Sequence, residues 1–339
     1  MPDGGQDVLS WRRDDETSGL EGEPRLAYQP VVDLGSGKLL GFEALLRWHH
    51  PTEGLIRPQL LIPLAEANGD IVAIGEWVLF EGCRHACKWP GSLQLAVNCS
   101  IVQLRRGEAS KSVVRALEHS GLAPDRLTIE ITELAMADDT AAVDLRRIAA
   151  LGVQLAVDDV GTSWTSFELL RRMAVNTVKI DDTFVGGLEP RQGINRMVVE
   201  TVVHLAHSAG MSTVAEGVET ALHAQIVREF DSDAAQGYFF APPLDVDRAT
   251  ELANTPDLRF PLDGPGWQDD GVAWPAELQP DAHRGQADVA AAIDAAIGQT
   301  LPLTELGPTE LGPTGEGSGD PPGPGVAPGR RRGKHVARG

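Results

Sequence analysis

Short apolar runs alternate with stretches of helical periodicity from Arg25 to Asn254. The runs are short, apolar and bounded by turn residues, and predict strands over 26–34, 39–48, 93–98, 127–131, 153–158, 177–180, 212–215 and 234–239. Between most of them apolar residues recur at helical spacing. This predicts helices over 59–68, 73–88, 103–119, 140–150, 167–172, 194–209 and 221–229, with a closing helix over 245–254. Gly152 and Gly210 stand just past two of these helices, as stops. Repeated strand–helix units imply parallel strands with crossover helices. Eight strands over about 230 residues suit an α/β fold of the (β/α)8 TIM-type barrel, which takes about 250. An open doubly wound sheet is the rival, but no Gly-x-Gly-x-x-Gly follows the first strand.

Polar residues interrupt this pattern at the strand ends. The run 153–158 leads into Asp158-Asp159-Val160-Gly161-Thr162-Ser163. Two adjacent carboxylates at the end of a buried strand repel each other, and they cost free energy unless neutralised. A hard divalent cation is the usual remedy; a helix N-cap is the plain alternative for a single Asp. The placement recurs with Glu43, Asn98, Glu130, Lys179, Glu216 and Gln236. Side chains alternate along a strand. Leu127, Ile129 and Ile131 therefore share one face, and Thr128 and Glu130 the other. Thr177 and Lys179 oppose Val178 and Ile180; Asn98 goes with Gln94 and Ala96, and Asp158 with Gln154 and Ala156. The apolar sides are expected to meet the helices and the polar sides to point inward. Glu216 does not sort by alternation and is expected at a loop end.

Each residue alone has a simpler reading. Glu130 and Lys179 could be a buried ion pair, Asn98 a turn former, and Arg47 a surface partner. Polar residues at the ends of successive strands are not a packing pattern, and in a barrel those ends converge on one face. Glu43, Asn98, Glu130, Asp158 and Asp159 offer only oxygen donors, which suits Mg2+ or Mn2+ over Zn2+, and two ions better than one. Lys179 and Arg47 suit a phosphate. Glu216 is the carboxylate expected to take the proton of an attacking water.

Composition narrows the picture. A net charge of −20, from 29 basic and 49 acidic residues, argues against duplex nucleic acid and anionic membrane as partners. Cys83 and Cys87 lie four apart with no zinc-spaced partners and are expected to be buried thiols. Few cysteines, and no apolar run of about 18 residues, suit a soluble cytoplasmic protein. Residues 1–23 are expected to be a disordered acidic tail, 24–255 the barrel, and 256–339 a Pro/Gly-rich, mostly disordered tail. Within the last, Val289, Ile293 and Ile297 sit four apart and suggest a short helix over 286–297.

Several motifs occur in a fixed order: Tyr28-Gln-Pro-Val-Val-Asp33, Glu43-Ala44-Leu45-Leu46-Arg47-Trp48, Val97-Asn98-Cys99-Ser100, Glu130-Ile-Thr-Glu133, Asp158-Asp159-x-Gly161-Thr162, Val178-Lys179-Ile-Asp181, Ala215-Glu216-Gly-Val-Glu219 and Gln236-Gly-Tyr238. Together they resemble the EAL-domain family of cyclic di-GMP phosphodiesterases, over 25–254. The resemblance implies a barrel with an antiparallel first strand that opens cyclic di-GMP to linear pGpG with Mg2+ or Mn2+, lowering a bacterial second messenger. By position, Glu43, Asn98, Glu130, Asp158 and Asp159 resemble metal ligands. Lys179 resembles the group that positions the attacking water, and Glu216 the catalytic base. Arg47 resembles the phosphate contact, with Glu43 and Gln236 beside the substrate. Glu133 and Glu219 resemble supports of the loop after Asp159, near which family members dimerise; a homodimer is therefore expected.

The chain departs from the family in that loop. Val160 stands where an aromatic is usual, and Ser163 where a glycine is usual, which strains the loop if that position needs positive φ. The departures motivate a second reading, a catalytically weak EAL-type receptor that signals through partners. A third, a barrel phosphohydrolase or lyase for another metabolite, follows from fold alone. Regulation is expected to come through the tails, the C-terminal one reaching a partner of unknown identity.

Overall fold

The computed structural model describes residues 22–160, 175–190 and 193–267. β1 (Glu23–Asp33) and β2 (Leu39–His50) form an antiparallel hairpin. Its turn is held by Asp33 Oδ1, which accepts from the Ser36 backbone N–H at 2.6 Å, and by Gly37 at φ +71°. A short β3 (Gly54–Ile56) folds back on the far end of β2. Then come β4 (Gln94–Asn98), β5 (Leu127–Thr132), β6 (Gln154–Val160), β7 (Thr177–Ile180), β8 (Ser212–Ala215) and β9 (Ala234–Ala235). β4 is parallel to β2, and each later strand is parallel to the one before it. β9 pairs antiparallel with β1 through Val32–Ala235 and Asp33–Ala234, which closes the ring. This is the expected barrel, and its first strand runs against both neighbours.

The two faces of each strand sort as alternation predicts. Leu95 and Val97 on β4, Leu127, Ile129 and Ile131 on β5, Leu155 and Val157 on β6, and Val178 and Ile180 on β7 are all 1% exposed or less. They meet a surrounding layer of helices: α1 (Pro58–Asn68), α2 (Ile71–Ala86), α3 (Ile101–Arg105), α4 (Ala109–Ser120), α5 (Glu133–Ala137), α6 (Asp139–Ala150), α7 (Asp182–Gly186), α8 (Ile194–Ser208), α9 (Ala221–Glu229) and α10 (Val246–Ala253). α8 shows the logic, since Val199, Val202, Val203 and Ala206 form one buried stripe. Thr220 and Asp245 cap α9 and α10 by accepting from the backbone N–H three residues on. Gly41 lets β2 approach β4 closely, because a Cβ there would lie 2.3 Å from the Gln94 carbonyl oxygen.

Some expectations are corrected. The helix expected over 103–119 is two helices, broken at Gly107, whose φ of +64° ends a helix as glycine permits. The last strand, expected over 234–239, stops at Ala235 because Gly237 turns the chain at φ +151°. Cys83 is buried, but Cys87 is exposed, since it caps α2 beyond the helix's packed face. β3, α5 and α7 are additional. The helices expected over 167–172 and 286–297, and the tails except residues 22–23 and 256–267, lie outside the described residues; 256–267, expected to begin the disordered tail, pack instead through Phe260 and Trp267.

Past α10 the chain stays packed. Phe260 is buried edge-on against Phe240 and donates its backbone N–H to Gly37 O at 2.8 Å, and Trp267 N–H reaches Phe239 O at 2.7 Å. Among the described residues no helix is long and apolar enough to cross a membrane.

Candidate active site

The site grows from β7. Lys179 points into the barrel from the face opposite Val178 and Ile180, and it is 2% exposed. A buried ammonium requires compensation, and four strands supply it. Lys179 Nζ lies 2.8 Å from Glu216 Oε1, 2.9 Å from Glu130 Oε2, 3.2 Å from Glu43 Oε2 and 3.4 Å from Asp158 Oδ1. Parallel register brings these residues level, with Glu43 beside Ala96 of β4 and Asn98 beside Glu130 of β5. Asn98 Nδ2 donates to Glu43 Oε1 at 2.6 Å. Gln236, just after β9, donates through Nε2 to Glu43 Oε2 at 2.7 Å and to Glu216 Oε1 at 2.8 Å. Glu216 sits one residue past β8, where alternation no longer applies.

Strict alternation would send Asp158 and Asp159 to opposite faces. The register between β6 and β7 slips between Val157 and Val160, and Asp159 takes φ +59°. This bulge and left-handed residue bring both carboxylates to one side. Carboxylate oxygens of Asp158, Asp159 and Glu216 then lie within 4.8 Å of one another.

Burial and crowded charge shift several of these groups. Burial and then the Glu43 charge raise Glu130 well above the ordinary carboxylate range, although Lys179 opposes this. Burial raises Glu216 as well, against Lys179 and with Asp158 and Glu43 adding. Burial, Asp158 and Asp181 push Asp159 up to about 6. Burial would raise Glu43 too, but Lys179 and its hydrogen-bond donors outweigh it and hold Glu43 below its usual value. Burial would lower Lys179, yet the carboxylates around it, Glu130 first, raise it well above the usual ammonium range. The donor set fits Mg2+ or Mn2+ rather than Zn2+, because every side-chain ligand is oxygen. Gln236 Oε1 is buried in this ring with no hydrogen-bond partner among the described residues, as expected of a site that still has something to bind.

The other expected residues lie outside the ring. Arg47 is on β2 beyond Glu43; its Nη1 donates to Leu46 O at 3.0 Å, and burial lowers its basicity against Tyr238 and Glu43. Glu133 is buried at the start of α5. Glu219 is exposed, and its backbone N–H reaches His223 Nδ1 at 3.4 Å. The loop that Glu133 and Glu219 were expected to support, and Ser163 within it, lie outside the described residues; Val160 is buried at the end of β6. One residue near the cluster had no role assigned from sequence. Asp181 is buried, acts on Asp159, and caps α7 by accepting from the Thr183 backbone N–H at 2.8 Å. Its place directly after β7, in Val178-Lys179-Ile-Asp181, was the available signal.

Comparison with known proteins gives the arrangement a lineage. Residues 16–243 match the EAL domain. An uncharacterized signaling protein of Caulobacter vibrioides is 41% identical over 225 residues, covering 66% of this chain and 28% of its own. Cyclic di-GMP phosphodiesterase NbdA of Pseudomonas aeruginosa is 38% identical over 234 residues, covering 67% of this chain and 30% of its own. The chain thus spans less than a third of the length of these curated relatives. The solved structure of the PaMucR phosphodiesterase in its c-di-GMP complex superposes with a TM-score of 0.64 at 37% identity, over 66% of this chain and 93% of that one. The matched residues run through all eight strands of the ring, and by that match the chain belongs to the EAL-domain family.

Proposed function

We propose that this protein is a metal-dependent phosphodiesterase that hydrolyses cyclic di-GMP to linear pGpG. The observation that carries this reading is the convergence of Asp158, Asp159 and Glu216 within 4.8 Å beside the Lys179 ammonium. Relatives named cyclic di-GMP phosphodiesterases support the substrate. Glu43, Asn98, Glu130, Asp158 and Asp159 would hold Mg2+ or Mn2+. When all are ionised, the carboxylates of Glu43, Glu130, Asp158, Asp159 and Glu216 exceed the Lys179 ammonium by four charges, which two divalent ions would balance. Such ions, when bound, supply Lewis acidity and a water of lowered pKa for in-line attack at phosphorus.

The protein's own groups do the rest. Glu216 takes the proton of the attacking water, which its raised proton affinity suits. Lys179 orients that water and offsets the charge building on phosphorus. Arg47 holds a phosphate oxygen at the mouth. Gln236 fixes Glu43 and Glu216 relative to each other. A phosphorus–oxygen bond forms to water as one bond of the ring breaks, leaving a terminal phosphate and a free hydroxyl.

The test is incubation with cyclic di-GMP in Mg2+, Mn2+ or EDTA, followed by chromatography. Metal-dependent pGpG is expected. Intact nucleotide in both metals, with binding demonstrated separately, would favour the second reading, a receptor of low turnover; that reading is motivated by Val160, a small residue at the base of the loop. The family usually carries an aromatic there. The proposal includes a cytoplasmic homodimer.

A further inference from the structure

The Lys179 ammonium and the expected metal draw on the same carboxylates. Asp158 and Glu216 belong to the cluster whose oxygens converge within 4.8 Å, and both also contact Lys179 Nζ, at 3.4 and 2.8 Å. The remaining contacts of Nζ, with Glu43 and Glu130, are to carboxylates that are 4% and 3% exposed and cannot turn to water. Nothing else positively charged is placed in this ring among the described residues. Five acids would otherwise confront one another across a closed barrel.

We propose that Lys179 is the resident cation of this site: it holds the carboxylate ring together when no divalent ion is bound, and it competes with the incoming metal for the proposed ligands it pairs with, Glu43, Glu130 and Asp158. This rests on the metal-site reading above and adds to it. A lysine that only orients water would leave metal affinity and the metal-free fold unchanged. A resident cation sets both. It lets the barrel fold before metal arrives, because a buried charge cluster left without its partner is strongly destabilising. It also keeps the metal exchangeable, because the ammonium's repulsion and its hold on those ligands weaken binding.

The experiment uses the full chain without substrate and reads melting temperature and Mn2+ titration calorimetry. Lys179→Met in EDTA should melt roughly 10 °C below the unaltered protein. Mn2+ should raise its melting temperature more than it raises that of the unaltered protein, with binding at least about tenfold tighter. A Lys179→Met variant that folds only in Mn2+ gives the same answer. Lys179→Met/Glu130→Gln, which removes one charge of each sign, should fold in EDTA and melt above the single variant; its failure to fold overturns the proposal. An unchanged melting temperature for Lys179→Met in EDTA, or Mn2+ affinity equal to or below that of the unaltered protein, also overturns it. Equal binding to both leaves the metal site standing while removing the role given to Lys179. Binding to neither removes both.

Discussion

Asp159 is held in a backbone region that L-residues rarely occupy, and Asp is among the few side chains tolerated there. The position therefore has two requirements, a φ of +59° and a carboxylate. Asparagine meets the first and not the second. Asp159→Asn is expected to raise the melting temperature in EDTA, because it removes a carboxyl that burial and Asp158 disfavour in charged form. The same substitution should shrink the rise that Mn2+ produces. Thermal unfolding with and without metal checks both, and a fall in EDTA would count against the charge argument. For chemistry, Glu216→Gln keeps the shape of the side chain and removes its basicity; kcat should fall by roughly a hundredfold or more. Glu43→Ala should abolish turnover, since Glu43 accepts from Asn98 and Gln236 and pairs with Lys179. Steady-state kinetics on cyclic di-GMP measures each. Alternation along the strands was enough to bring Asn98, Glu130, Asp158 and Lys179 to one face. It could not bring Asp159 in, because a bulge depends on the pairing of two strands and leaves no period in one.

At the scale of elements, β1 and α2 meet through Tyr28 and His85, whose Oη and Nδ1 lie 2.6 Å apart. Arg84 Nη2 lies 2.9 Å from His85 Nε2. A guanidinium only donates, so Nε2 is the acceptor and Nδ1–H donates to Tyr28. Protonating Nε2 would set a hydrogen against Arg84. Burial first, then Arg84 and Lys88 against Glu81 and Asp247, lower His85 to about 4. A histidine held neutral in the fold contributes stability that is complete above its unfolded value, near 6.5, and that fades as pH drops through about 4. The contribution is on the order of 3 kcal/mol. Urea midpoints should therefore fall between pH 7 and pH 4.5 by less in His85→Gln than in the unaltered protein; parallel falls would refute the assignment. The strands were legible because short apolar runs leave few alternatives. The break between α3 and α4 falls at Gly107, but the apolar periodicity on either side of it reads as one helix. β3, α5 and α7 are too short to show a period.

At the scale of the molecule, the packed body runs beyond the last barrel helix. Phe260 fills a place against Phe240 and the β1–β2 turn. Burying a side chain of this size is worth about 1.5–3 kcal/mol. A chain ended at Thr255 should melt several degrees below one ended at Trp267, and equal melting would show the segment to be a passenger. Eight strands could be counted in advance. Which edge closes on which could not, because pairing between β1 and β9 joins residues some two hundred positions apart and leaves no trace in local pattern. The antiparallel course of β1 has a further effect. In a ring of strands that all run one way, the chain would come in at the floor, far from the chemistry. Here Glu23 lies opposite His49, and Arg25 opposite Arg47, at the open end where the acids gather. The chain therefore enters the ring on the open side, along the strand paired with the one that carries Arg47 and Glu43.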